Sequence, residues 1–427
     1  MRIKAGFPFF LGLRNFYSFR KGKRRTMAGA AIAVALSIIP LIVVLEVSDG
    51  MIEGITRRFI ELETGHLQVL PYNDLDIAEI DKISSEIEDL PGVVYAAPIY
   101  RGMGLIYSKS YKSGIQVKAL PPDIIEKDQG FRDYLEITDG EFDLRDGSSI
   151  MLSSELASLL EVEAGGQIKL LTAKTAKNGK MMLRPEMYEV SGIFSTGYYE
   201  VDSMTAYINL EKGEKLFRGE GRLSIQCKIT DPYNLAEQTA DVIRDEYDSF
   251  TTSTWYRMQK SMYESLYTTR ILLIFIMAII VIVAAVNITS SLIIMVFERR
   301  QDIAIMKSCG AANRQIRRAF IYTGMLTGII GAAAGITAGL LISVNINGII
   351  HFFQNISAFL GSIFSGIDGD LSVLSASGYY LDQIPVRIKA AQILIVAVSA
   401  VLLSTGAALL PARKAEKLSP HEIMQKH

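Results

Sequence analysis

Two cysteines and four histidines are too few, in a chain of 427 residues, for a disulfide framework or for most metal centres. Cys227 and Cys309 fall on opposite sides of the membrane in the topology argued below, so they cannot pair within one chain. His66, His351, His421 and His427 are scattered, with no carboxylate or thiol at the spacing of a metal ligand. There is no GxxxxGK[ST] phosphate loop, no HExxH and no GxSxG, so ATP hydrolysis, zinc proteolysis and serine hydrolysis lack even a local signature. No catalytic or metal-binding residue is expected. If the protein uses ATP, another chain hydrolyses it. Charge is the other local shortage: Ile271–Phe297 carries no ionisable side chain at all.

That uncharged run exceeds the ~20 residues a helix needs to cross a bilayer. It is followed by ERRQDIAIMKSCGAANRQIRR (298–318), which has six Lys/Arg against Glu298 and Asp302, and then by a second apolar run. By the positive-inside rule the basic stretch is cytoplasmic. Ile303, Met306 and Cys309 recur in it at helical spacing, and Gly310 follows as a C-terminal cap, so the spacing predicts a short amphipathic helix with Asn313 capping the next one. Residues 1–26, 298–318 and 411–427 hold 18 of the 44 basic and 4 of the 45 acidic residues, leaving 26 and 41 elsewhere. Sorting of that kind marks a multispanning membrane protein rather than a nucleic-acid binder.

The chain divides by composition into an N-terminal basic, aromatic segment (1–26), a first span (27–47) containing Pro40, and an exported domain (48–269). A second span (270–297), the amphipathic cytoplasmic helix (298–318), a third span (319–345), an outer loop (346–390), a fourth span (391–410) and a cytoplasmic tail (411–427) follow. The fold class expected is an α-helical membrane protein with four spans arranged one plus three and a large α+β extracytoplasmic domain. Within the domain, Ile77, Ile80, Ile83, Ile87 and Leu90 predict a helix, and Leu235, Val242 and Ile243 share one side of another. Strands are expected around 93–97, 104–107, 115–119 and 223–229. The two ends of the domain should assemble one subdomain, with a β-rich insertion at about 131–209. Inside it, strands at 167–172 and 188–193 are joined by AKTAKNGKMMLRPE, a long basic loop with an apolar group at Met181-Met182-Leu183. Trp255, Tyr256, Tyr263 and Tyr267 predict an interfacial belt before the second span. In the third span Gly324, Gly328, Gly331, Gly335 and Gly339 form one stripe that lets another helix come close.

Four spans in this arrangement, a large exported domain after the first and a charged helix after the second resemble the MacB/FtsX-like permeases of ABC transporters. Residues 298–316 and LLPARKAEKLSPHEIM (409–424) carry the likeness, with EVSDGM (46–51) and GHLQV (65–69) after the first span. Within that superfamily the chain is most similar to the lipoprotein-releasing permeases of the Lol system. The resemblance implies an inner-membrane subunit, with a periplasmic domain, that pairs with a second permease and extracts lipoproteins from the bilayer. A separate ATPase dimer would bind ATP and Mg and push on Glu298, Arg300, Asp302, Ile303, Met306, Lys307 and Gly310. A periplasmic chaperone would dock on Lys174, Lys177, Lys180, Met181, Met182, Leu183, Arg184 and Pro185, although the loop lacks the prolines and aromatics usual there. Leu41, Val44, Leu45, Ile271, Leu272 and Phe275 are expected to line the way in for lipid. An efflux permease of the MacB type and a signalling permease of the FtsX type, controlling cell-wall hydrolases, are the alternatives.

Overall fold

The computed structural model describes residues 24–73, 75–108, 111–175, 181–363 and 384–417. Helix α1 (Arg24–Phe59) runs on past Pro40 and closes in a single π turn, Ile60–Thr64. Its 36 residues far exceed one membrane crossing, and the last part, from Ile52, belongs to the compact unit formed by the extracytoplasmic domain.

That unit is built on one ten-stranded sheet in the order β10-β1-β9-β2-β3-β8-β5-β7-β4, with β6 pairing both β2 and β7. In chain order the elements are β1 (Leu67–Pro71), α2 (Ile77–Glu88), β2 (Val93–Tyr107), β3 (Lys112–Leu120), β4 (Glu136–Gly140), β5 (Ser149–Ser153) and α3 (Ser154–Leu160). They continue as β6 (Gln167–Thr175), β7 (Met181–Ser195), β8 (Thr205–Asn209), α4 (Leu210–Phe217), β9 (Arg222–Ile229), α5 (Ala236–Glu246) and β10 (Phe250–Thr254). The ends of the domain meet where β1 lies between β9 and β10. The expected insertion is no separate sheet: parallel pairing of β3 with β8, from Gln116↔Thr205 to Leu120↔Asn209, carries the ladder straight through.

Each helix follows its apolar stripe. Ile80 and Ile87 of α2 and Ala236, Ala240 and Ile243 of α5 are buried with Leu67, Val69, Ile225 and Cys227. Val242, expected on that side of α5, is exposed, because Thr239, Ala240 and Ile243 set the phase of the buried face. A second cluster holds Leu62 of the π turn against Tyr95, Ile99, Phe131, Phe194 and Tyr207, with the last two rings stacked at 4.5 Å. Of the aromatic residues ahead of the second span, Trp255 and Tyr263 pack on the domain, and Tyr256 is exposed. Trp255 donates from Nε1 to Pro232 O at 2.9 Å and packs edge-on against Tyr233 and Tyr263, while Tyr267 is exposed.

The membrane unit contains the earlier part of α1, α6 (Lys260–Glu298) from Leu266 on, α7 (Arg300–Ser308), α8 (Asn313–Val344), α9 (Ile346–Ile363) as far as Phe359, α10 (Ala390–Ala407) and α11 (Leu409–Lys417). Among the described residues four helices are long and apolar enough to cross a membrane: Ala28–Thr64, Lys260–Glu298, Asn313–Val344 and Ala390–Lys417. One cluster joins them, with Val34, Ile38 and Ile42 from the first, Ile288, Leu292 and Met295 from the second, Ile316 and Phe320 from the third and Val396 and Ala400 from the fourth. Asn313 is the first residue of α8, and the cap falls one position earlier: Gln315 Oε1 accepts from the Ala312 N–H at 3.1 Å. The expected outer segment opens as helix α9, with Phe352 and Phe353 exposed. Asn347 pins the returning chain by exchanging two hydrogen bonds with the Ile384 backbone, at 3.1 and 3.0 Å.

A lysine lies inside the domain. Lys118 of β3 is 1% exposed, and Glu63, Asp128, Arg101 and Lys228 are the charged groups around it. Burial pushes its ammonium down from 10.5 to about 7, against the pull of Glu63. Between those values the unfolded chain holds a proton that the folded chain has released, so stability rises with pH through that window and is indifferent to this group above it. Thermal melts of the full chain in detergent, followed by the single tryptophan, Trp255, are expected to rise from pH 7 to pH 10 more steeply in wild type than in Lys118→Met. Equal slopes would place the charge elsewhere.

Candidate functional site

Five features of this chain stand out, and the first was not foreseen. Asp49, whose side chain is only 2% exposed, collects three helices of the membrane unit on one carboxylate. Oδ1 pairs with Arg270 Nη2 of α6 at 2.8 Å, and Oδ2 accepts from Lys389 Nζ at 2.7 Å and from Gln392 Nε2 at 2.8 Å, at the start of α10. Charge-assisted hydrogen bonds of this length are the strong ones, and water competes little for a buried carboxylate. Gly50 completes the arrangement, because a Cβ there would stand 1.5 Å from Pro385 O. A signal existed in the sequence: an acid closes the first apolar run, while Arg270 and Lys389 open the second and fourth.

The residues expected to line the lipid opening divide. On α6, Ile271, Leu272 and Phe275 are exposed at 50%, 57% and 64%. Toward its other end Ala284, Ile288 and Leu292 are buried, where α6 approaches α7. On α1, Leu41 and Leu45 pack against the membrane cluster and Val44 is half-buried. The expected α6 residues are therefore bare in this chain, whereas the α1 residues are partly covered by the chain's own helices.

The glycine stripe of α8 is used at both ends. A Cβ on Gly324 or Gly328 would come within 2.4 Å of Ala408 Cβ or 2.6 Å of Ser404 Cβ, beside α10. On Gly331, Gly335 or Gly339 it would meet α1, at 2.6 Å from Val34 Cβ, 2.9 Å from Ala35 O and 2.9 Å from Ile42 Cβ. Both partners belong to the same chain, and α8 is the helix on which α1 and α10 rest.

The charged stretch forms the short helix α7, and Gly310 ends it with φ +92°. Its apolar face is turned inward: Ile303 is 1% exposed inside the membrane cluster and Met306 packs against it. Ile303 cannot serve as an outward anchor for a partner, which corrects the expectation drawn from its spacing, while Met306 is half-buried. Periodicity finds an apolar face without saying whether it meets this chain or another. Glu298, Arg300 and Asp302 are exposed, as is Gly310, and the outward apolar side chain is Ile305 at 57%. Lys307 turns to the tail helix, donating to Glu416 O at 2.7 Å, and Arg317 pairs with Glu416 at 3.2 Å.

The long basic loop proves to be mostly strand. Pairing of β6 with β7 continues through Thr172↔Arg184 and Ala173↔Leu183 to Thr175↔Met181, because the threonines and apolar residues on both sides sustain the alternation. Lys177 and Lys180 lie outside the described residues, and of the side chains of Lys174, Met181, Met182 and Leu183 only the backbone register is described. At the root of this arm Arg184 is exposed on one face, and Pro185, Met187, Leu105 and Met103 are exposed on the other. Register places them side by side, with Leu171↔Pro185 and Leu105↔Leu171 across the strands and Lys169 Nζ 5.9 Å from the Tyr107 ring.

Four membrane-length helices among the described residues, with a large sheet domain after the first, are the architecture of a membrane permease. Residues 26–245 match the MacB-like periplasmic core domain and 274–420 the FtsX-like permease C-terminal domain, so the chain belongs to the FtsX-like permeases with a MacB-like core. LolC, a transmembrane protein of the lipoprotein-releasing system of Neisseria meningitidis serogroup B, is 26% identical over 94% of both chains. LolE of Haemophilus influenzae is 25% identical over 98% of this chain and 99% of its own. An uncharacterised ABC transporter permease of Methanocaldococcus jannaschii is 22% identical over 78% of this chain. The family implies an ATPase partner and a second permease subunit.

Removing one partner from a buried ion pair costs about 3 kcal/mol or more, whereas replacing the whole set with apolar groups is often neutral. Asp49→Leu should accordingly lower the temperature at which the detergent-solubilised chain aggregates, and adding Arg270→Leu with Lys389→Met should restore most of the loss. A single variant as stable as wild type would remove Asp49 from its place as the organiser of these helices.

Proposed function

We propose that this chain is the permease subunit of an ABC transporter that extracts lipoproteins from the outer leaflet of the inner membrane and passes them to a periplasmic chaperone. A separate ATPase dimer, carrying ATP and Mg, drives it, and this chain holds no cofactor. The observation that carries the reading is near-full-length similarity to LolC and LolE, running through both the domain and the spans. The bare α6 surface at Ile271, Leu272 and Phe275 supports it, since acyl chains need an apolar wall on leaving the bilayer.

Energetics shape the mechanism. Each methylene moved from lipid to water costs about 0.8 kcal/mol, so thirty would cost roughly 25 kcal/mol, beyond one ATP. The lipid must pass from one apolar surface to the next without crossing water. In this reading the exposed face of the arm, with Pro185, Met187, Leu105 and Met103, is where the chaperone waits, and the basic residues Lys174, Lys177, Lys180 and Arg184 steer it there.

Ile305→Asp is expected to weaken copurification of the ATPase while leaving the chain folded, whereas Ile303→Asp should destabilise the chain itself, by the penalty for a charge buried without a partner. Wild-type ATPase yield with Ile305→Asp would leave α7 as a structural and topological element only. On the arm, Lys177→Glu with Lys180→Glu should slow chaperone association and flatten its salt dependence, and Met187→Ala with Pro185→Ala should speed dissociation by about tenfold if they contribute ~1.4 kcal/mol together. Surface plasmon resonance on the solubilised complex separates the two. Unchanged chaperone kinetics, together with no ATP-dependent lipoprotein release from proteoliposomes, would favour the efflux or signalling permease.

A further inference from the structure

A helix that ends inside a protein leaves its last carbonyls in need of donors. At the end of α1 those donors are side chains from neighbouring strands. Lys228 Nζ of β9 donates to Glu61 O at 2.7 Å and to the Glu61 carboxylate. Lys118 Nζ of β3 donates to Leu62 O and, at 3.3 Å, to Glu63 O. Glu63 O also accepts from Arg101 of β2 and from Gln226 Nε2 of β9, the latter at 2.5 Å. Gln68 Nε2 closes the set on Thr64 O at 3.0 Å.

The next residue, Gly65, has φ +66° and ψ 178°, a conformation that side chains rarely adopt and that offers no resistance to rotation of its own. Left to the backbone alone, the junction between helix and sheet would be a swivel. Around it, His66 accepts the Ile229 N–H on Nδ1 at 2.7 Å and so donates from Nε2 to Glu61 at 3.1 Å. Burial would raise the Glu61 carboxyl, but His66 and Lys228 hold it down to about 2, so the anion persists. Asp128, 3.5 Å from Lys228, adds a further tether. On the flank, Ile55 and Phe59 of α1 pack with Tyr198 and Val201, and Arg58 Nε donates to Thr196 O at 2.9 Å.

We infer that Lys118, Lys228, Arg101 and Gln226 are positioning residues that lock the Gly65 swivel, so that the end of α1 and the sheet of the extracytoplasmic domain turn as one body during transport. The inference rests on the reading that ATP-driven motion passes from the spans into the domain. The buried donors of the sheet thereby act mechanically: they grip the carbonyl end of the first span's helix, and a displacement of that helix reaches the strands undiminished. The GHLQV stretch then reads as the joint itself, with Gly65 as the break, His66 and Gln68 as fasteners and Leu67 and Val69 in the core.

The test uses the full complex carrying Cys309→Ser, with spin labels at Arg57→Cys on the helix and Asp241→Cys on α5. The native Cys227 is buried, with its thiol pushed up to about 12, and stays unlabelled. Wild type should show one narrow distance, the same without nucleotide and when trapped with vanadate. Lys118→Met with Gln226→Leu should broaden it and lower lipoprotein release per ATP by about tenfold, the scale of losing buried hydrogen bonds, with ATP hydrolysis near wild type and a cooperative Trp255 melt retained. Should the double variant not fold, Gln226→Leu alone, which leaves Glu63 O two other donors, is read the same way. A distance that stays narrow in the variants, or a wild-type distance that changes on trapping, overturns the locked joint. Absence of lipoprotein release in wild type would instead count against the proposed function, and the distance measurement would still judge the joint.

Discussion

One constraint governs this architecture: a helix that begins in lipid must end inside folded protein, and its final carbonyls cannot be left bare at either place. Within the bilayer α1 satisfies itself, residue by residue. At its far end it cannot, and the π turn at Ile60–Thr64 directs its carbonyls into the core, where Lys118, Lys228, Arg101 and Gln226 meet them. The cost is a set of buried donors, the cations Lys228 and Arg101 among them, in strands that would otherwise be apolar. Those cations in turn require Glu61, Glu63 and Asp128 nearby, which explains why a sheet domain carries so much charge in its interior.

The membrane unit solves a related problem with one carboxylate. Asp49 could be tolerated at the end of the first span only with partners, and α6 and α10 supply them from residues placed just ahead of their own apolar runs. The bundle is then held at two levels. Ions act at the Asp49 end, and close backbone contact through Gly324, Gly328, Gly331, Gly335 and Gly339 acts along α8. Beside Arg270, the α6 surface at Ile271, Leu272 and Phe275 is exposed.

Much of this was legible in advance. Uncharged runs announce membrane helices because few other environments accept them, and the isoleucines of α2 announce their stripe because a helix has one period. What stayed hidden were matters of partnership. The spacing of Ile303 and Met306 identified a face but not its owner, and the face belongs to this chain's core. Trp255 and Tyr263 suited a membrane belt as well as a domain cluster, since an amphipathic ring satisfies either. The arm between β6 and β7 was underestimated because lysine and threonine tolerate strand and loop alike, and only the register across the hairpin separates them. Lys389 lies 340 positions along the chain from Asp49, and no local pattern joins residues so far apart.

The split glycine stripe of α8 has a consequence for how such a chain can change over generations. Gly324 and Gly328 answer to α10, and Gly331, Gly335 and Gly339 to α1, so the phase between the two groups is fixed by the step from Gly328 to Gly331. Inserting or deleting one residue there would rotate one group by about 100° relative to the other, turning side chains into a neighbouring helix on one side or the other. No single compensating substitution repairs a rotation. Length variation among descendants of this sequence is therefore confined to the loops and the domain, and the stretch from Gly324 to Gly339 can drift in composition but not in number.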